Sequence, residues 1–141
     1  MAKKTKSLRL LGHSETRVPT SPSADILETF PNSARRPYWI RFESADFTSL
    51  CPITGQADFA EITIEYLPGK RCLETKSLKF YLASYRNEQA FNEEVANHIL
   101  DDLVRACAPR KMIVHAEFAP RGGISLTITT THPDEPDRAA R

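Results

Sequence analysis

The chain has 141 residues, a net charge of +1, 40% hydrophobic and 26% charged residues. This length is typical of one globular domain with a hydrophobic core, and the near-neutral charge does not indicate bulk nucleic-acid or membrane affinity. No apolar run approaches the roughly 20 residues of a membrane span, and no hydrophobic stretch follows the basic N-terminus as in a secretory signal. Three cysteines without metal-type spacing favour a reduced, cytoplasmic protein.

The N-terminal part predicts a tail followed by a first strand and a loop. Residues 1–35 combine lysines, prolines and serines, so we expect a weakly ordered segment that is solvated rather than bound to a polyanion. Residues 36–43 alternate between two faces and predict a strand. We expect residues 44–57 to form a loop, because proline and glycine interrupt them, and this loop would expose the thiol of Cys51.

The middle of the chain predicts a second strand and a short helix. Residues 59–67 alternate apolar and polar side chains, as a strand with one buried face requires. A Pro-Gly-Lys turn follows, and residues 76–84 are expected to form the helix. Ser77 is the predicted N-cap, because its hydroxyl can accept hydrogen bonds from free N–H groups at a helix start.

The second half predicts a longer helix and two closing strands. Apolar residues recur at helical spacing after Asn87, and Pro109 ends the pattern. Alternation predicts strands at 111–118 and 124–130, and residues 131–141 are expected to form a frayed tail. The order strand, strand, helix, helix, strand, strand predicts an α+β fold, with an antiparallel sheet and helices on one face. The bare edges of such a sheet need a partner.

Two lysines stand out on the short helix. Lys76 and Lys79 are three residues apart, so a helical turn places both on one face. Together with Ser77 and the free N–H groups of a helix start, they form a combination that suits phosphate binding. The alternative is an amphipathic helix with solvated lysines. From these residues alone the alternative is favoured, since lysine pairs are common on helices.

Three segments in this order resemble one family. They are Glu74-Thr75-Lys76-Ser77-Leu78-Lys79-Phe80-Tyr81, the run from Phe47 through Cys51 to Phe59, and Pro120-Arg121-Gly122-Gly123-Ile124-Ser125. The chain resembles the NADPH-dependent 7-cyano-7-deazaguanine reductases (QueF), nitrile reductases of queuosine biosynthesis, in their short single-domain form. The first segment departs from the family motif only at Thr75 and Phe80. The resemblance covers roughly residues 36–130, which we predict to be the catalytic domain.

The resemblance implies a fold, an assembly and a reaction. The fold would be the tunnelling fold (ββααββ), whose sheets join edge to edge into a barrel. Ring-shaped homo-oligomers with active sites between neighbouring subunits would follow. The reaction would reduce the nitrile of a 7-deazapurine to an aminomethyl group with two NADPH, without direct contact to nucleic acid or membrane.

The resemblance also implies roles for particular residues. Cys51 would be the nucleophile that forms a thioimide, and Asp58 would protonate the nitrile nitrogen, with its pKa raised by desolvation near Phe59. A lone cysteine is otherwise more often inert and buried. The expected substrate-binding residues are Leu73, Glu74, Thr75, Asn92 and Glu93. The expected cofactor-binding residues are Lys76, Ser77, Lys79, Arg121 and Gly122.

Two features of the sequence bear on the expected substrate and cofactor binding. Asn92 stands where the family usually has histidine; an amide can still hydrogen-bond the substrate, but it cannot transfer a proton in the same way. No Gly-x-Gly-x-x-Gly follows a strand, so the expected NADPH binding is not of the Rossmann type. The scattered histidines lack ligand spacing, and no metal site is predicted.

Three other functions remain open at this stage. A relative of GTP cyclohydrolase I shares the tunnelling fold, but it normally needs a Cys/His zinc site, and no matching motif is present. A nitrile-using amidinotransferase would keep the thiol but would not need the lysine motif. A non-catalytic, purine-binding oligomer would need neither Cys51 nor Asp58.

Overall fold

A computed structural model describes residues 18–134 of the chain. The sequence folds into strands and helices in the following order: β1 (Thr29–Pro31), β2 (Ile40–Leu50), β3 (Ala57–Leu67), β4 (Arg71–Leu73), α1 (Thr75–Ala83), α2 (Asn92–Cys107), β5 (Lys111–Arg121) and β6 (Ile124–His132). A 3-10 turn at Ala24–Ile26 precedes β1, and another at Ser84–Asn87 links the two helices.

The main sheet is antiparallel and four-stranded, in the order β2-β3-β5-β6. The predicted α+β class and antiparallel sheet are confirmed, as is the strand and helix order of the domain. A second, two-stranded sheet pairs β1 with β4, and the sequence analysis predicted neither strand. β1 lies within the segment 1–35. Residues 1–17 and 135–141 lie outside the described residues, so the predicted domain limits stay a prediction.

The core lies between the main sheet and the two helices. Alternation on β3 buries Ile62, Ile64 and Tyr66 on one face, and α2 packs Val95 and Ile99 against that face. Burying a side chain of this size contributes about 1.5–3 kcal/mol. Leu78 and Leu82 of α1 belong to the same buried cluster, so both helices lie on one face of the sheet, as the sequence predicted.

The predicted loop at 44–57 is wrong, because β2 continues to Leu50 and only residues 51–56 form the loop. Ser44 pairs with Ile62, but the next aligned pair is Phe47 with Ala60, so β2 contains one extra residue. This β-bulge interrupts the period of two that identifies a strand in a sequence. Beyond the bulge the odd-numbered residues, rather than the even-numbered ones, face the core.

The predicted Ser77 cap is also wrong. Glu74 is the N-cap of α1, and its carboxylate accepts hydrogen bonds from the N–H groups of Lys76 (2.9 Å to Oε2) and Ser77 (3.1 Å to Oε1). A carboxylate near a helix N-terminus also interacts favourably with the helix dipole. The helix consequently begins at Thr75, earlier than predicted.

Other boundaries differ by a few residues. The strand predicted at 36–43 is β2, and it begins only at Ile40, after Pro37, which has no N–H group for a ladder. The long helix begins at Asn92 rather than near Asn87, because a 3-10 turn and an extended stretch separate it from α1. The closing strands are longer than predicted, and β6 takes in the first residues of the predicted frayed tail.

A buried hydroxyl fixes the chain just before α1. The side chain of Tyr66, fully buried on β3, accepts a hydrogen bond from the backbone N–H of Leu73 at 2.9 Å. Burial raises the pKa of Tyr66, so the phenol stays neutral and available as an acceptor. This contact positions the turn from β4 into α1.

Tyr66→Phe should lower the free energy of unfolding by about 1–3 kcal/mol, because it leaves the buried N–H of Leu73 without an acceptor. Urea unfolding measures the change. Tyr38→Phe is the matched control, since the Tyr38 hydroxyl bonds Asn32 at a half-buried position and its loss should cost less. Equal losses in the two variants would contradict the positioning role of Tyr66.

Candidate active site

Cys51 lies in a tight loop at the end of β2. Its N–H donates to the carbonyl of Gln56 at 2.8 Å, and its own carbonyl accepts from Gly55 at 2.9 Å. Gly55 has a φ of 73°, a left-handed conformation that glycine adopts without strain. The loop thus extends the β2–β3 ladder by one further pair and holds the half-buried thiol at its end.

Local hydrogen bonds activate this thiol. The Thr54 hydroxyl, and then the backbone N–H groups of Thr54 and Ile53, lower the pKa of Cys51, because they stabilise the thiolate. Partial burial and the nearby negative charge of Asp58 oppose this effect, so the two side chains interact electrostatically. By contrast, burial raises the pKa of Cys107 to about 12. Of these two thiols, Cys51 is the one whose pKa is lowered.

Asp58 is buried at the start of β3, where it pairs with Ser49 across the β2–β3 ladder. Its Oδ1 lies 3.0 Å from Nη2 of Arg121, at the end of β5. The same guanidinium donates to the Ala57 carbonyl at 2.6 Å and to the Gln56 side chain at 3.2 Å. The structure therefore brings Arg121, predicted as a cofactor residue, next to the predicted proton donor.

Phe59 does not bury Asp58 as expected. Phe59 is 59% exposed and lies on the opposite face of β3, since neighbouring residues of a strand point to opposite sides. The burial of Asp58 comes instead from the helix-covered face, which it shares with Ala60 and Ile62. The predicted source of desolvation is therefore wrong.

The N-terminus of α2 approaches the same end of the sheet. The Leu50 N–H donates to the Glu88 carbonyl at 2.9 Å, and the Leu50 carbonyl accepts from Ala90 at 3.1 Å. Asn92, the first residue of α2, has a buried Oδ1 without a hydrogen-bond partner. The Glu93 side chain next to it is exposed. The start of α2 therefore lies at the same end of the sheet as Cys51, Asp58 and Arg121. We call these three residues and the start of α2 the thiol end.

Leu73 and Glu74 lie near the opposite end of β3, whereas Thr75 and Lys79 on α1 line a groove that reaches Phe47 and Thr48. Leu73 contacts Tyr66 through the hydrogen bond described above, whereas Asp58 lies eight residues away on the same strand. At about 3.3 Å per residue this separation is roughly 26 Å. We call the segment Leu73–Lys79 the lysine end. Within residues 18–134, no hydrogen bond or ion pair links the two ends.

The lysine end uses several of its polar groups internally. The Glu74 carboxylate caps α1, and the buried Ser77 hydroxyl donates to the Glu74 carbonyl and accepts from the Glu28 N–H, both at 2.9 Å. Lys79 and Thr75 are exposed, and Lys76 Nζ lies 5.8 Å from the centroid of the Phe80 ring. The free charges at this end are therefore those of the lysines.

A groove of about 700 Å³ runs between β2 and α1. Thr75 and Lys79 line it from the helix, over an apolar floor that includes Phe47 and Ile62. Charges of both signs stand at its edges: Glu43, Asp46, Lys79 and Arg86. Its volume falls in the range of small-molecule sites, so it can hold part of a cofactor beside the lysines.

Thr54, Gln56 and Ser49 were not among the residues predicted for the site. The run from Cys51 to Gly55 is a typical tight turn, and this could have pointed to the Thr54 hydroxyl as a partner of the thiol. Ser49 would have been placed on the face of Cys51 if the strand had been predicted to reach Leu50. The Gln56 contact with Arg121 joins distant segments and has no local signal.

Residues 18–134 contain no group of three or more His, Cys, Asp or Glu side chains that could hold a metal ion. None of the described helices is both long and apolar enough to cross a membrane.

The described residues thus form an antiparallel sheet backed by two helices, with the half-buried Cys51 at one end of the sheet. Among solved structures, the chain is similar to the archaeosine synthase QueF-Like in its apo form. The TM-score is 0.64 at 25% identity, with 69% of this chain and 95% of that chain covered. The architecture is that of the tunnelling fold.

Comparison with sequences identifies the family. Residues 57–137 match the family described as QueF-like protein. A protein of Anaeromyxobacter sp. (strain K), named NADPH-dependent 7-cyano-7-deazaguanine reductase, is 52% identical over 120 residues, or 84% of this chain and 98% of its own. Proteins of the same name from Alkalilimnicola ehrlichii and Bacteroides fragilis are 53% and 47% identical, over 80% and 89% of this chain and 88% and 83% of theirs. The chain belongs to the QueF-like family.

Thr54→Val should move the pH profile of Cys51 alkylation by iodoacetamide to higher pH. Loss of the hydroxyl removes a hydrogen bond to the thiolate, so the pKa of Cys51 rises and alkylation at neutral pH becomes several-fold slower. Mass spectrometry of the labelled peptide measures the rate, and the buried Cys107 serves as an internal reference. Thr63→Val, on the opposite face of β3, should leave the profile unchanged. A profile that does not move in Thr54→Val would contradict this account of the thiol.

Proposed function

We propose that this protein reduces the nitrile of 7-cyano-7-deazaguanine to the 7-aminomethyl product with NADPH, in the cytoplasm, as a step of queuosine biosynthesis. The observation that carries the proposal is the activated thiol of Cys51 beside the buried Asp58. A nitrile carbon is an electrophile that a thiolate can attack, and a carboxyl group can move the required proton. The names of the curated relatives support the substrate and the cofactor.

The first step follows from the thiol end. The Asp58 carboxylate, which is paired with Arg121, takes the proton of the Cys51 thiol. The sulfur attacks the nitrile carbon, a carbon–sulfur bond forms, and one π-electron pair moves to nitrogen. Asp58 returns the proton to that nitrogen, which gives a thioimide with no net gain or loss of protons. Arg121 holds the carboxylate in place throughout.

The start of α2 suits recognition of the purine-like ring. The Glu93 carboxylate can accept two parallel N–H bonds from the amidine edge of the substrate. The buried Oδ1 of Asn92 lacks a partner and can accept a further N–H bond. Because an amide does not titrate at neutral pH, Asn92 would bind the substrate without transferring a proton. Leu73, Glu74 and Thr75 would complete the pocket from the lysine end.

The expected cofactor-binding residues lie partly at the lysine end and partly at the thiol end. Lys76 and Lys79 would bind the phosphates of NADPH, whereas the Ser77 hydroxyl, which has two partners within the chain, would hold their helix in position. Arg121 and Gly122 would contribute from the thiol end. When bound, NADPH supplies the hydrides, two for each nitrile. The groove beside Lys79 offers room for part of this cofactor.

The distance between the two ends supports a shared active site. A single small substrate cannot contact Asp58 and Leu73 of one subunit across roughly 26 Å. A neighbouring copy could bring its lysine end to the thiol end of the first. The strands β2 and β6 are the edges of the main sheet, and free edges pair readily with another strand. We therefore propose a ring-shaped homo-oligomer whose sheets form a barrel and whose sites lie between subunits.

With 7-cyano-7-deazaguanine, the purified protein should oxidise two NADPH per nitrile, followed by absorbance. Cys51→Ala should abolish both turnover and the covalent mass shift seen with the nitrile, since no other group replaces the sulfur. Turnover in Cys51→Ala would refute the nucleophile. A Cys51 adduct without NADPH oxidation would instead favour an amidinotransferase, and neither signal would leave a purine-binding oligomer.

Mixing two variants tests the shared site. Cys51→Ala and Lys76→Ala, coexpressed, should give more turnover than the same amount of Lys76→Ala alone, because some sites combine an intact thiol end with an intact lysine end. Cys51→Ala with Asp58→Asn is the matched control. Both substitutions affect the thiol end, so every mixed site is defective and no activity should return. Equal activity from the two mixtures would contradict a site shared between subunits.

A further inference from the structure

Two buried side-chain oxygens in residues 18–134 have no hydrogen-bond partner: Ser49 Oγ and Asn92 Oδ1. Both belong to the thiol end, where the chain before Asn92 pairs with Leu50, the neighbour of Ser49. The proposed function already gives Asn92 Oδ1 a partner, because this oxygen would accept an N–H hydrogen bond from the substrate. The Ser49 hydroxyl has no role in the mechanism described so far.

The position of Ser49 relates it to both reacting groups. It lies directly opposite Asp58 across the β2–β3 ladder, where Cβ atoms are about 4.5–5.5 Å apart. Cys51 follows two residues later and continues the same register, so all three side chains project to the helix-covered face. The hydroxyl therefore stands beside the thiol on one strand and beside the carboxylate on the other.

A buried hydroxyl without a hydrogen-bond partner lowers the stability of the folded protein, and the other buried serines have such partners. Ser77 donates to the Glu74 carbonyl, and Ser84 donates to the Tyr81 carbonyl. Ser49 is 0% exposed and makes neither kind of contact. An alanine would fill the same position without an unsatisfied group. A partner that arrives with the substrate would satisfy this hydroxyl once the substrate displaces the side chains that cover it.

We propose that Ser49 is a further catalytic residue, whose hydroxyl donates a hydrogen bond to the nitrile nitrogen while Cys51 attacks the carbon. This inference rests on the proposed function. Negative charge grows on the nitrogen as the carbon–sulfur bond forms, so a donor placed there stabilises the transition state more than the bound nitrile. Ser49 keeps its proton, and Asp58 delivers the proton that completes the thioimide. The hydroxyl can then accept a bond from the new N–H.

The test compares Ser49→Ala with Ser84→Ala. Thioimide formation at saturating nitrile, without NADPH, is quenched at intervals and measured by intact-protein mass. Ser49→Ala should slow it about tenfold or more, the scale of a lost transition-state donor, and leave the thermal unfolding midpoint unchanged or raised. Ser84→Ala loses a satisfied hydrogen bond, so its midpoint should fall while its thioimide rate stays that of the wild type.

Each outcome is decisive. An unchanged thioimide rate in Ser49→Ala overturns the proposal. So does a slower rate accompanied by a lower midpoint like that of Ser84→Ala, because the hydroxyl would then have a structural partner. If the wild-type protein forms no thioimide at all, the proposed function itself fails, and this result is distinct from a failure of Ser49 alone.

Discussion

The register of β2 against β3 determines the chemistry of this protein. Before the bulge, even-numbered residues of β2 such as Phe42 lie on the core side; after it, Phe47 and Ser49 do. A strand that slips by one residue turns every side chain to the other face. Without the extra residue, Cys51 would be on the opposite face from Asp58. The bulge therefore places Cys51 and Asp58 on one face.

A second constraint is a network of hydrogen bonds that fixes α1, which carries the lysines, against α2. Tyr81 donates to the buried Asp102 carboxylate at 2.7 Å and contacts the Tyr85 hydroxyl at 2.9 Å, and Tyr85 reaches His98 at 3.0 Å. This network ties α1 and the following turn to α2. Together with the Tyr66 contact to Leu73, it fixes the position of α1 and its lysines within the subunit.

The fold class could be predicted from periodicity, because β3, β5 and α2 each bury one regular face. The extent of β2 could not, since its bulge breaks that period at Ser44. The Glu74 cap was missed because a carboxylate and a hydroxyl can both cap a helix, and only the structure shows which one reaches the N–H groups. The cofactor and substrate roles came from motif resemblance, and they stay proposals for the individual residues.

The thiol end also shows why one residue can differ from the family pattern. Where histidine usually stands, Asn92 cannot carry a proton at neutral pH. In the proposed mechanism the first proton does not have to come from this position, because the thiol supplies it and Asp58 carries it to nitrogen. Asn92 then has to recognise the ring alone, and its buried, unpartnered oxygen suits that task. The chemistry therefore depends on the short path between Cys51 and Asp58, which the β2–β3 register keeps intact.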